Sequence, residues 1–116
     1  MNYSEVQLTK LAQDNPAYLS KLLINPYTKV NVLTFGIEIL SSETKDEKLF
    51  LEPVKVLLKH VNALVRESAC IALSSFYIDK VPPQEIVDKL KSLLENDPSM
   101  NVKNCIEIFL KDISKM

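Results

Sequence analysis

Residues 62–77, NALVRESACIALSSFY, follow residues 49–60, LFLEPVKVLLKH, with only Val61 between them. The later stretch places Val65, Ala69, Ala72, Leu73 and Phe76 on one helical stripe. The earlier one does the same with Leu49, Phe50, Val54, Leu57 and Leu58. Together they read as two helices folded back on each other, with weaker copies of the pair on either side. Pro53 falls inside the leading helix, predicted over residues 46–60, and is expected to kink it or divide it near residues 49–52.

Toward the N-terminus, residues 4–13 form a short candidate helix, with Ser4 as its N-cap and Tyr3, Leu8, Leu11 and Ala12 on one stripe. Asn15-Pro16 opens the next helix, whose Leu19, Leu22 and Leu23 face inward. Asn25-Pro26 repeats that punctuation, and a longer helix is predicted over about residues 26–41. It carries two apolar faces: Val30, Leu33, Ile37 and Leu40, and beside them Val32, Phe35 and Ile39. The only glycine of the chain, Gly36, sits mid-helix, where it costs about 1 kcal/mol against alanine. A close helix contact would account for it, and so would simple tolerance. Toward the C-terminus, Val81-Pro82-Pro83 is a firm break, residues 83–96 form a sixth helix, and Asp97-Pro98 turns the chain into a last helix over residues 99–113.

A chain of 116 residues has room for one domain, spanning residues 1–116, with a real core. A single glycine argues against hairpin-rich sheets and for helices joined by Pro, Asn and Asp turns. The net charge of −1 gives no global pull toward nucleic acid or anionic lipid. Cys70 and Cys105 lie in apolar helical patterns without a CxxC or a histidine cluster, so buried, reduced thiols are expected, with no metal and no cofactor. Residues 1–10, MNYSEVQLTK, lack a basic region followed by an apolar run, and no uncharged apolar stretch is long enough to span a bilayer. A cytoplasmic location is the default expectation.

The three longer helices align on their turns. Val30, Val65 and Val102 each follow Asn25, His60 and Asp97 by five residues, at offsets of 35 and 37. Each first helix ends in an apolar pair: Leu22-Leu23, Leu57-Leu58, Leu93-Leu94. A period in this range marks a stacked helical array. With Pro53, Leu57-Leu58 and Val65-Arg66-x-x-Ala69-x-x-Ala72-Leu73 in place, the chain resembles a small HEAT-repeat (armadillo-like) protein over about residues 16–113. The resemblance implies an all-α superhelix of about three HEAT-like hairpins plus a short N-terminal helix. In that family a turn Asp and a helix Arg form a ladder between repeats. Only Asp97 and Arg66 keep those identities here, so the resemblance implies one rung, Arg66 to Asp97, with a structural role.

The resemblance also implies a protein without chemistry that binds a partner along its second helices. Carried over by position, the surface comprises Val32, Glu67 and Asn104, then Phe35, Cys70 and Glu107, then Ile39, Ser74 and Lys111. An uncovered Val32–Phe35–Ile39 patch would be a docking site; alternatively residues 4–13 fold back over it, or a homodimer hides it. Phe35→Asp would then abolish binding while leaving helicity intact. His60 and Cys70 are ten residues apart, about 15 Å along a helix, too far for a nucleophile pair. Lys80, Lys89 and Lys91 read as a solvated face, and without interleaved aromatics they speak against nucleic acid.

The function expected is recognition of one protein partner by a non-catalytic module, as an adaptor or a small inhibitor, an immunity-type protein being one such class. A chain this short leaves no room for a long scaffold. Glu67 and Glu107 would suit a basic partner such as a nuclease. A nucleic-acid-binding relative, and an assembly or chaperone subunit that self-associates, stand as alternatives; monomer and homodimer both remain open.

Overall fold

Ser4 opens the first helix with a reciprocal cap: its hydroxyl accepts from the Gln7 N–H at 3.1 Å, and Gln7 Oε1 accepts from the Ser4 N–H at 2.8 Å. The structure, a computed structural model, describes residues 3–115. Met1 and Asn2, which begin the N-terminal stretch read above, and Met116 lie outside the described residues. Among the described residues seven helices follow in order: α1 (Glu5–Asp14), α2 (Pro16–Ile24), α3 (Val30–Glu43), α4 (Glu47–Leu57), α5 (Ala63–Phe76), α6 (Gln84–Asn96) and α7 (Met100–Ile113). Among the described residues there is no strand, and no helix is long and apolar enough to cross a membrane.

The fold is an all-α stack of helical hairpins. Alternate helices lie side by side: α1, α3, α5 and α7 form one layer, while α2 packs on α4 in the other and α6 lies against α7. Polar contacts along the stack recur at nearly constant separation. Ser20 reaches Leu49, Gln13 reaches Glu43, Lys55 reaches Glu85, Tyr77 reaches Glu47 and Arg66 reaches Asp97, all 29–31 residues apart. One continuous core draws on all seven helices, from Leu8 of α1 to Phe109 of α7. At the ends, α1 turns Glu5, Lys10 and Gln13 outward, and α7 turns Glu107, Lys111 and Asp112 outward. Charged outer faces close both ends of such a stack.

Three local expectations are corrected. The third helix begins at Val30, not near residue 26, because residues 25–28 form a turn of their own. In it Asn25 Oδ1 accepts from the Tyr27 N–H at 2.9 Å, and the Thr28 hydroxyl donates to the Leu22 carbonyl at 2.6 Å, occupying an acceptor at the end of α2. Val30, in the first turn of α3, is consequently 36% exposed rather than core. The fourth helix is shorter than expected, ending at Leu57, but Pro53 does not divide it. Proline lacks the N–H that would bond the Leu49 carbonyl four residues back. The Ser20 hydroxyl of α2 donates to that carbonyl at 2.8 Å instead, so the neighbouring helix supplies the missing donor. Ser20→Ala is therefore expected to cost about 1–2 kcal/mol. In a Pro53→Ala background the same substitution should cost clearly less, which urea unfolding of the four proteins would read as a coupling.

Gly36 marks a close approach. A Cβ there would meet Leu23 Cδ2 of α2 at 2.7 Å and Leu19 Cδ1 at 3.7 Å. The glycine lets the Leu23 side chain lie against α3, and a Cβ would require that side chain to shift.

Candidate partner-binding face

Helices α3, α5 and α7 are each 14 residues long and begin after Lys29, Asn62 and Ser99. Asn62 and Ser99 cap with their side chains, accepting from Leu64 N–H at 2.8 Å and Val102 N–H at 3.3 Å. Counting from those caps, the third residue is Val32, Val65 and Val102, all buried. The residue equivalent to Val65 is thus Val32 and not Val30, and the surface expected on α3 moves by two positions.

That shift decides the expected docking patch. Val32 is 1% exposed and belongs to the core, so the Val32–Phe35–Ile39 cluster does not exist as a surface. Helix α1 packs on α3, and Ile39 is half-buried against the core. Phe35 alone of the three stays open, at 44%. Cys70 is also overturned as a surface residue. It is fully buried in α5, which packs on α7, where Cys105 lies near enough to act on its thiol. Burial first, and then Cys105, push its thiol well above the ordinary range. The His60 ring, for its part, accepts from the Asn62 N–H at 3.0 Å and holds the turn before α5. Of the other expected residues, Glu67 and Ser74 are half-buried on α5, and Asn104, Glu107 and Lys111 are exposed on α7.

The second, fifth and ninth residues after each cap share one helical face. They are Asn31, Leu64 and Asn101, then Thr34, Glu67 and Asn104, then Glu38, Ile71 and Ile108, and none of the nine is buried. The layer thus presents a face running across three helices, with a composition the sequence reading did not anticipate. Leu64, Ile71 and Ile108 are 60%, 40% and 60% exposed. Glu38 and Glu67 lie close enough to repel each other. Partial burial raises the Glu38 carboxyl above its ordinary value, the Ser68 hydroxyl pulls it back, and Glu67 raises it further. Among the described residues neither carboxylate has a basic side chain within 4.0 Å.

Glu38, Leu64, Ile71 and Ile108 were missed because the expected tracks ran two, five and nine residues past Val30, Val65 and Val102, whereas these residues lie one before or six after the buried Val of their own helix. Ile71 and Ile108 did carry a signal: both are large aliphatics off the core stripe, at the same distance from their caps. Among the described residues no group of three or more His, Cys, Asp or Glu side chains could hold a metal ion. No family model, curated protein or solved structure matches this chain.

Proposed function

We propose that this chain is a non-catalytic protein-recognition module of HEAT-like type, which binds one basic protein partner on the exposed face of α3, α5 and α7. The observation that carries the reading is the pairing on that face of exposed Leu64, Ile71 and Ile108 with the half-buried carboxylates of Glu38 and Glu67. Large aliphatics left in water favour being covered. Two neighbouring carboxylates without a cation favour a partner that supplies one. An adaptor and a small inhibitor would use the face alike, and both act by occupancy rather than chemistry.

The test is affinity capture of the tagged chain from its native lysate, run in parallel with Ile71→Asp and Phe35→Asp. One near-stoichiometric protein held by the wild type, and lost by at least about tenfold in Ile71→Asp with circular dichroism unchanged, is the expected result. Phe35 lies one position off the face, so its substitution should weaken capture less. Equal retention by Ile71→Asp would move the site elsewhere. Recovery of nucleic acid, or of the chain alone as an oligomer, would replace the reading with the corresponding alternative.

A further inference from the structure

The two layers of the stack differ in how tightly they close. In one, α5 packs along α7; in the other, α2 packs along α4, but α4 and α6 barely touch. Between α4 and α6 lies a cleft of about 270 Å³ lined by Lys55, Leu58, Lys59, Lys89, Ser92 and Leu93. Its apolar part comes from Leu58, which is buried, and Leu93, which packs against the core.

Lys55 Nζ pairs with Glu85 Oε1 at 3.2 Å across the two helices, a separation of 30 residues. Lys59, in the turn just past the end of α4, and Lys89, one turn beyond Glu85 on α6, both line the cleft. Among the described residues neither has a carboxylate within 4.0 Å. Lys59 and Lys89 therefore both line one small cleft that has an apolar side and no Asp or Glu among its lining residues. Lys55 and Lys59 also neutralise the carbonyl end of α4, but Lys89 lies in the middle of α6, where no helix end calls for a cation.

We propose that this cleft binds a small amphiphilic anion, a carboxylate or phosphate head on a short apolar body. The head sits between Lys59 and Lys89 within reach of the Ser92 hydroxyl, and the body lies on Leu58 and Leu93. The volume is just below the usual range for small-molecule sites, which limits the ligand to a short chain or a single ring. This site is on the opposite layer from the partner-binding face and does not depend on it.

The experiment is titration of the full chain, followed by NMR at the Leu58 and Leu93 methyls, with octanoate, octyl phosphate, octanol and acetate. Octanoate and octyl phosphate are expected to give saturable shifts centred on those methyls, and octanol and acetate are expected to bind at least about tenfold more weakly. If one head group binds more tightly, it names the source of the ligand as a free acid or a phosphate ester. Lys59→Gln/Lys89→Gln should reduce octanoate binding to the level of octanol. Should that variant fold poorly, the wild type still decides: octanoate affinity must fall with added salt, while octanol binding must not. Octanol binding as well as octanoate, acetate binding as well as octanoate, shifts centred elsewhere, or no saturation by any probe would each overturn the proposal.

Discussion

Arg66→Met is expected to lower the unfolding free energy by about 3–5 kcal/mol, the range seen when one partner of a buried ion pair is removed. The geometry explains the size. Arg66 Nε and Nη2 donate to Asp97 Oδ2 and Oδ1 at 2.7 and 2.9 Å, a two-pronged contact, while Nη1 donates to the carbonyls of His60 and Val61 at 2.8 and 3.1 Å. The side chains are 11% and 1% exposed, so water cannot replace what the substitution removes. Methionine would leave the Asp97 carboxylate buried with only the Ser99 N–H, at 2.9 Å, still donating to it. Urea unfolding at neutral pH reads the loss, and Arg66→Met/Asp97→Asn should recover part of it because no unpaired charge stays buried.

The same pair sets an acid limb. The hydrogen bonds from Arg66 come first, with the Ser99 N–H adding, in holding the Asp97 carboxyl below its ordinary value. A folded value below the unfolded one means a contribution fully present above about pH 3.9 and lost as pH falls through the folded value. The gap between wild type and Arg66→Met should therefore narrow below about pH 4. A gap that stays constant down to acid unfolding would show that Asp97 is not the group involved.

The rung was an implication of the resemblance, carried by two motifs that agreed with it, Asp97-Pro98 and Val65-Arg66. The first hairpin offered no such agreement. Lys29 makes no side-chain cap, and Val30 and Val32 both fit an apolar position near a turn. Asn-Pro was read as the start of a helix, whereas residues 25–28 close a turn through side-chain bonds that depend on tertiary placement. A two-residue error in register turns a core face into a surface face, which is how a buried Val32 came to be expected in a docking patch. Cys70 failed for a different reason. Its position faces the next helix of the layer, and only a terminal helix such as α7 leaves the equivalent residue, Glu107, in water.

Phe50→Ala is the second substitution expected to cost about 3–5 kcal/mol. Phe50 is fully buried in α4 and stacks on Phe76 of α5, with ring centroids 4.4 Å apart and planes at 15°. Phe76 in turn meets the edge of Tyr77 at 4.9 Å and carries the Lys80 ammonium 4.4 Å from its ring centroid. Tyr77 donates to Glu47 Oε2 at 2.9 Å, back at the start of α4. The cluster therefore fastens the C-terminal end of α5 to the first turn of α4, and the stack has little freedom to collapse into the space an alanine would leave. Phe50→Leu, which keeps most of the volume, should lose much less, and Phe76→Leu should behave like Phe50→Leu if the two rings act as one unit. Combining Phe50→Ala with Phe76→Ala should fall short of the sum of the single losses, since the second truncation removes a contact already gone. Strict additivity in urea unfolding would mean that each ring is held by the surrounding aliphatics alone and that the stacked pair does not couple α4 to α5.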